Sequence, residues 1–373
     1  VQRLTLTHFR NYDSLRQEFD GRPVVLTGNN GAGKTNLLEA VSLLTPGRGL
    51  RNARLDELPP HSARDNAWAI AARVETNTGP VDIGTGVTPD EERRQVRIDG
   101  QAARGQNALG QHCAAVWLTP QMDRLFLDGA EERRRFLDRL VFGTDPAHVG
   151  RVTAYQNSRR QRQRLLAERG DPTWLDALER TLAQKAVAIA AARLDLARRL
   201  DHAAAGKSDN PFPIPRIAVV GDVEEWLDDR PALAVEDLLA DTWRANRGQD
   251  AASGQTSLGV HRSDMAVWFA GRDVPAAQCS TGEQKALLIG LMLASARLIA
   301  AERGMLPLLL LDEVAAHLDS GRRAALYDQL VTSGAQVWLT GTDPELFAPL
   351  GDSAQHFRVA DGHLTPSNGS AYP

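Results

Sequence analysis

The octapeptide Gly28-Asn29-Asn30-Gly31-Ala32-Gly33-Lys34-Thr35 has the spacing G-x-x-x-x-G-K-[ST] of a phosphate-binding loop, and it constrains this chain more than any other stretch. Its flanks agree. Val24-Val25-Leu26-Thr27 reads as a buried strand before it, and Asn36-Leu37-Leu38-Glu39-Ala40-Val41-Ser42-Leu43-Leu44 has helical spacing after it, stopped at Pro46-Gly47. Glycines let successive backbone N–H groups turn toward a phosphate, and the helix N-terminus adds a positive dipole end. In that arrangement Lys34 reaches the β- and γ-phosphates and Thr35 ligates Mg²⁺, so ATP with Mg²⁺ is the expected cofactor. The alternative is an ordinary glycine turn between a strand and a helix. Only four lysines occur, at 34, 185, 207 and 285, so a lysine at the required place is rarely a coincidence.

Two later stretches complete a nucleotide site. Leu308-Leu309-Leu310-Leu311-Asp312-Glu313 is an apolar strand ending in two carboxylates, with Leu318-Asp319 just beyond. Asp312 is expected to hold Mg²⁺ through water, and Glu313 to polarise an attacking water. Ser280-Thr281-Gly282-Glu283-Gln284-Lys285 opens an apolar helix upstream of that strand. Ser-x-x-Glu is also a capping box, which any helix start can use. The reading favoured here is that this helix N-terminus holds an anion, with Gly282 giving access and Ser280 donating to a phosphate.

The rest of the chain suggests a second body. Residues 67–99 alternate like a strand meander, and Ala115-Val116-Trp117-Leu118-Thr119 is a further apolar run closed by Pro120-Gln121. Residues 131–205 are rich in Arg, Ala, Leu and Gln with helical periodicity, expected as a helical arm of two or three long helices. Asp209-Asn210-Pro211-Phe212-Pro213-Ile214-Pro215 reads as its exit, 216–220 as a strand, the stretch to about 247 as acidic helix, and Gly248–Gly254 as a flexible loop. Net charge is −4, so a nucleic-acid contact needs a local patch. The arginine-rich run holding Arg159, Arg160, Arg162 and Arg164 has no acids beside it, and with Arg51 and Arg54 it is the candidate DNA surface. A solvated helix face is the alternative, and it is the better account of Glu131 and Glu132 with Arg135. Cys113 and Cys279 are far apart, no zinc or disulfide pattern occurs, and no uninterrupted apolar run is long enough to span a bilayer. A cytoplasmic chain without a membrane partner is expected.

A phosphate loop far from its acidic strand, with Ser-x-Gly-x-Gln on a helix between them, resembles the ABC-type ATPases, and the insertion resembles their SMC-like branch. Within that branch the chain resembles the RecF family of bacterial recombination mediators. The likeness runs through Phe9-Arg10-Asn11-Tyr12, residues 28–40, Gly47-Arg48-Gly49-Leu50-Arg51, Glu132-Arg133-Arg134-Arg135-Phe136-Leu137-Asp138 and Gly259-Val260-His261-Arg262-Ser263-Asp264. It covers essentially the whole chain in order. The resemblance implies an α/β, ABC-type (SMC-like) P-loop ATPase head formed by 1–130 and 211–373, with a helical arm inserted at 131–210. It implies nucleotide contacts from Arg10, Asn11, Gly28, Asn29, Asn30, Gly31, Ala32, Gly33, Lys34, Thr35 and Asn36, and from Ser280, Gly282, Gln284 and Asp319. Lys34, Asp312, Glu313 and Gln121 would be catalytic, with Thr35, Asp312 and Gln121 at Mg²⁺.

The family likeness further implies an ATP-dependent homodimer that binds duplex DNA near single-strand gaps, hydrolyses ATP slowly and acts with RecO and RecR towards RecA. The chain departs from the family pattern at Thr281, Glu283 and Lys285, where Gln, Gln and Arg are more usual, and in ending its acidic strand Asp-Glu rather than Asp-Asp. Three rivals stand beside this reading, one of them an ATP-driven nuclease partner, which would need a second subunit. A transporter-type ATPase needs a switch histidine, and the corresponding strand end is Thr340-Gly341-Thr342. A structural DNA clamp of the SMC kind shares every motif, with hydrolysis incidental.

Overall fold

The structure, a computed structural model, describes residues 1–60, 66–91, 93–205 and 212–367. An antiparallel pair, β1 (Arg3–Phe9) and β2 (Tyr12–Glu18), precedes β3 (Val24–Thr27), whose loop opens helix α1 (Lys34–Ser42). The expected meander follows as β4 (Trp68–Thr76), β5 (Gly79–Val87), β6 (Gln95–Ile98) and β7 (Gln101–Ala102), then the short helix α2 (Leu109–His112) and β8 (Ala115–Leu118). Three long helices come next: α3 (Ala130–Thr144), α4 (Ala147–Ala167) and α5 (Pro172–Ala205). Strand β9 (Pro215–Val220), helices α6 (Asp222–Asp229), α7 (Ala232–Ala245) and α8 (Arg247–Ser253), and strands β10 (Asp264–Phe269) and β11 (Val274–Pro275) succeed them. The chain continues through α9 (Thr281–Arg303), β12 (Leu308–Leu311), α10 (Ser320–Thr332), β13 (Val337–Gly341), β14 (Gln355–Ala360) and β15 (His363–Pro366).

The first compact unit is Val1–Asp123 with Leu288–Pro373, joined by the short stretch around Phe212. Its parallel sheet runs β15-β14-β3-β13-β12-β8, with only the edge strand β15 antiparallel. Every residue of β3, β8 and β12 is buried, as strands covered on both faces require. Because these strands are parallel, the phosphate loop, the Asp312-Glu313 pair, the end of β13 and the Pro120-Gln121 turn emerge at one edge, where open α/β sheets hold ligands. The second sheet, β2-β1-β4-β5-β6-β7, is antiparallel and buries alternate residues. Its Leu4, Leu6, Ile70 and Ile83 share a core with Leu37 and Val41 of α1 and with Leu310 and Trp338.

Arg94, between β5 and β6, clamps the far end of α1. Its guanidinium donates to the carbonyls of Leu43 and Gly47 (2.7 Å for the latter) and to Thr85 Oγ1 (2.7 Å). Burial pushes its pKa down to about 10, and the carbonyl end of the helix supplies the negative potential that an acid otherwise would.

The second unit is Arg124–Ser208 with Pro213–Leu287, and here the structure differs from the expected division at 130/131 and 210/211. The reason is packing. Val235, Leu239 and Trp243 of α7 bury against Leu182, Ala186 and Ile189 of α5, so the segment after the arm completes the arm's own core. The small sheet β11-β10-β9 belongs to the same unit. Residues 248–254, expected as a flexible loop, are mostly helix α8, closed by Gly254 at φ 67°. Asp250 inside it is fully buried and accepts from Arg162 and from the Ser257 N–H, which fixes the turn as helix. Asp209, Asn210 and Pro211 of the expected proline-rich exit lie outside the described residues. Helix α9 is long and apolar enough by composition to cross a bilayer, but charges interrupt it and most of it is buried, as in a core helix.

Beneath the loop before β10 lies a buried polar cluster. The Tyr155 hydroxyl bonds His261 Nδ1 at 2.8 Å, and Arg193 and His148 both hold Asp138. Burial, and then the positive Arg159, Arg262 and Arg134, pull the His261 imidazole down to about 4 from 6.5. Between those values the unfolded chain takes up a proton that the folded chain refuses. Stability therefore falls as pH drops from 6.5 towards 4, by on the order of 2–3 kcal/mol at most. Denaturant unfolding at pH 7 and pH 4.5 should show a larger loss in wild type than in His261→Gln; equal losses would refute this assignment.

Candidate functional site

The loop after β3 is built for close approach. Gly33 has φ 109°, and a Cβ there would lie 2.5 Å from Asn11 Nδ2 and 2.8 Å from the Tyr12 hydroxyl. Tyr12 donates to the Gly33 carbonyl at 3.0 Å, and Asn11 to the Ala32 carbonyl at 3.1 Å, which pin the loop from β2. Helix α1 has no side-chain N-cap and no acid in its first turn, so its N–H groups and dipole face the loop uncompensated. Lys34 is buried and folds over the loop, its Nζ donating to the carbonyls of Gly28 (2.7 Å) and Asn29 (2.9 Å). Burial lowers its pKa, opposed by Glu313 and Asp312 nearby.

The acidic strand meets this loop directly. Thr35 Oγ1 donates to both carboxylate oxygens of Asp312, at 2.9 and 3.0 Å, and Thr340 Oγ1 donates to Oδ1 at 2.7 Å. The same Thr340 oxygen accepts from the Glu313 N–H at 2.9 Å. Glu313 sits at φ 54°, a left-handed backbone that a glutamate adopts only when its surroundings enforce it, and such strain concentrates at working sites. Gln121 is exposed, three residues beyond Leu118, whose carbonyl accepts from the Asp312 N–H at 2.9 Å. Asp319 caps α10 by accepting from the Arg322 N–H at 2.8 Å. Thr35 and Asp312 are hard oxygen donors within 3.0 Å of each other, a pair that fits Mg²⁺ completed by phosphate and water oxygens. Among the described residues no cluster of three or more His, Cys, Asp or Glu forms a cage of its own.

Glu39 was given no role by the sequence reading, yet it organises one flank. Its side chain is fully buried, and Arg10 holds it through two bonds of 2.8 Å while Arg51 adds one of 3.1 Å. Arg51 also donates to Asn36 Oδ1 at 2.5 Å, and Asn36 to Asn11 Oδ1 at 2.7 Å. Arg10, Asn11, Asn36 and Arg51 thus form one network behind the loop. The available signal was a lone charge inside the apolar run Leu37-Leu38-Glu39-Ala40-Val41.

At the start of α9 the capping box is formed. Ser280 Oγ and its N–H both donate to Glu283 Oε2 at 2.9 Å, and Arg272 pairs with the same carboxylate. Those bonds hold the Glu283 pKa down at about 2, the Ser280 backbone N–H first and Arg272 next. Gln284 is buried and donates to the Cys279 carbonyl at 2.9 Å.

The candidate DNA arginines separate. Arg162 is a correction: it is fully buried, donating to Glu179 (2.8 Å), Asp250 (2.7 Å) and the Trp243 carbonyl (2.9 Å), so it cannot face DNA in the folded chain. Its acids come from distant parts of the sequence. Arg51 is engaged by Glu39 and Asn36, and Arg54 pairs with Asp56 at 2.9 Å. Arg160 and Arg164 are exposed, and Arg159 is half-buried. Glu131 and Glu132 pair with Arg135, as their spacing predicts.

The chain matches the model of the RecF/RecN/SMC N-terminal domain over residues 1–363. It is 48% identical over 371 residues to the DNA replication and repair protein RecF of Rhizobium rhizogenes, covering 98% of each chain. To its Caulobacter vibrioides counterpart it is 47% identical over 375 residues, with 97% of each covered. Among solved structures it resembles the recombination mediator protein RecF-ATPrS of the RecFOR pathway, with a TM-score of 0.83 at 20% identity over 98% of this chain and 97% of that one. An Smc head bound to the C-winged helix domain of ScpA gives a TM-score of 0.55 at 15% identity, over 98% of this chain and 96% of that one. These structural likenesses speak for the fold, the ABC-type, SMC-like ATPase head. With nearly half of its residues identical over almost the whole length of these relatives, the chain belongs to the RecF family.

Proposed function

We propose that this chain is a slow, DNA-dependent ATPase of replication and recombinational repair, which pairs with a second copy on ATP and binds duplex DNA near single-strand gaps. The observation that carries the reading is the continuous chain Thr35–Asp312–Thr340–Glu313 at the mouth of the phosphate loop. Lys34 and the N–H groups opening α1 bind the phosphates of ATP. Thr35 and Asp312 would hold Mg²⁺, with Gln121 as a further candidate ligand, and the ion would neutralise phosphate charge. Glu313, its backbone N–H fixed by Thr340, orients the attacking water. The strand end at which a transporter ATPase carries its switch histidine reads Thr340-Gly341-Thr342 here, which disfavours that class. Ser280, Gly282 and Gln284 of one copy, with Asp319, close over nucleotide held by the other copy. By family, RecO and RecR are the partners, acting towards RecA in the bacterial cytoplasm.

Sedimentation of wild type and Glu313→Gln, each with ATP and Mg²⁺ and with or without gapped DNA, tests this. The expected result is an ATP-dependent dimer, longer-lived in the variant and favoured by DNA. A monomer under every condition, with nucleotide still bound, would overturn the pairing mechanism. Turnover unaltered in Glu313→Gln would overturn the role given to that residue.

A further inference from the structure

The loop between α8 and β10 carries Gly259-Val260-His261-Arg262-Ser263-Asp264, which has no part in the nucleotide chemistry above. It is anchored along its length. Trp243 Nε1 donates to the Leu258 carbonyl (3.0 Å), Arg193 to that of Val260 (2.7 Å) and Arg134 to that of Ser263 (2.6 Å). Ser263 Oγ donates to Glu224 at 2.7 Å, and Tyr155 bonds His261. Gly259, at φ 129°, lets the loop lie against α4; a Cβ there would be 2.6 Å from the Tyr155 hydroxyl. This loop is held along its length; Arg159 takes no part in that anchoring, and the Arg262 side chain only through long contacts.

Arg262 Nε and His261 Nε2 share the Thr256 carbonyl (3.4 and 3.0 Å), Arg134 holds the Ser263 carbonyl, and Arg159 lies one helical turn beyond Tyr155, whose hydroxyl bonds His261 Nδ1. The acids of the region are already committed. Asp264 takes Arg133 through two bonds of 2.7 Å, Asp138 takes Arg193 and His148, and Glu224 takes Ser263. Arg262 is exposed and makes only long contacts, to the Thr256 carbonyl (3.4 Å) and Gln255 Oε1 (3.3 Å). Arg159 makes no hydrogen bond or ion pair among the described residues, and its Nε is buried without a partner. A half-buried guanidinium with a buried, idle N–H is unfavourable in the free fold, and an anion supplies the missing acceptor.

We infer that Arg159, Arg262 and Arg134, set around the 256–264 loop, form a seat for a backbone phosphate of duplex DNA. The seat opens to solvent at Arg262, as a phosphate within a polymer requires. Three forked donors suit a phosphate's several oxygens, and the chain's net negative charge makes such a local patch necessary for DNA contact. Arg159 thereby differs from its helix neighbours: it belongs to a pre-formed site, whereas Arg160 and Arg164 are solvated charges. The inference rests on the DNA-binding reading above.

The test is the salt dependence of binding to a fluorescent duplex oligonucleotide, with ATP present. Arg159→Gln should make the slope of log affinity against log salt shallower by about 0.9, and Arg159→Gln with Arg262→Gln by about 1.8. Affinity near physiological salt should fall roughly tenfold per residue. Arg159→Lys should keep the slope, and Arg180→Gln, an exposed arginine of α5, should change neither quantity. Should Arg159→Gln unfold, Arg262→Gln alone carries the test, because its exposed side chain makes only long contacts. Wild-type affinity and slope in the double variant, with the chain folded, would overturn the seat while leaving DNA binding intact. A wild-type chain that does not bind duplex DNA removes the reading underneath and the seat with it.

Discussion

Replacing Asp312 with asparagine is expected to lower ATP turnover at least about a hundredfold while nucleotide affinity changes only a few-fold. The asymmetry follows from where the contacts lie. In the proposed site the phosphates are bound by Lys34, by the loop N–H groups and by the uncapped start of α1, none of which hydrogen-bonds Asp312 through the groups that face the loop. Asp312, by contrast, accepts from two hydroxyls at once, Thr35 through both oxygens and Thr340 through one. An amide offers a single acceptor oxygen and turns a donor toward one of those hydroxyls, so the ion-holding pair loses both its charge and its alignment. Thr340→Val is the graded companion. It removes the hydroxyl that joins Asp312 to the Glu313 N–H and leaves that N–H without its side-chain acceptor, for a loss of roughly tenfold in kcat. Binding titrations and single-turnover rates measured on the same preparations separate the two effects. If Asp312→Asn bound nucleotide more than a hundredfold more weakly, the carboxylate would belong to ground-state binding rather than to turnover.

The site was legible where chemistry demands contiguous residues. A phosphate loop must be written as one stretch, because its glycines, lysine and threonine act through a single turn of backbone, and the structure brings Lys34, Thr35, Asp312 and Glu313 to one sheet edge as expected. What the sequence concealed is non-local by nature. Thr340 acquires meaning only when β13 pairs beside β12, and Glu39 only when the turn after β1 and the loop after α1 each deliver an arginine to it. The division between the two units failed for the same reason. The apolar stripe of α5 was visible, but its partner is the face of α7 carrying Val235, Leu239 and Trp243, some fifty residues later. Composition misled once, in 248–254, where glycine and small polar residues suggested a loop and a buried Asp250 made a helix.

Arg162 carries the largest expected stability effect. Truncation to methionine should destabilise the second unit by about 3–5 kcal/mol, because Glu179 and Asp250 would remain buried without the cation between them. That corresponds to roughly a 10 °C fall in its melting temperature. Arg247 still reaches Glu179 at 2.6 Å, so the uncompensated charge falls chiefly on Asp250, whose side chain is fully buried. Combining Arg162→Met with Asp250→Asn and Glu179→Gln should therefore recover much of the loss, since neutral amides cost less to bury than orphaned carboxylates. Calorimetry on the single and triple variants checks this; a fall below about 1 kcal/mol for Arg162→Met would mean the triad is not the staple its geometry describes. The outcome bears on how arginine-rich helices are assigned to DNA. A drop in DNA affinity for Arg162→Met would track the unfolded fraction and disappear on cooling. Arg262→Gln, at the exposed member of the proposed phosphate seat, should leave stability within about 0.5 kcal/mol and alter only the salt slope, by about 0.9. Measuring stability and slope together is what separates an arginine that builds the fold from one that uses it.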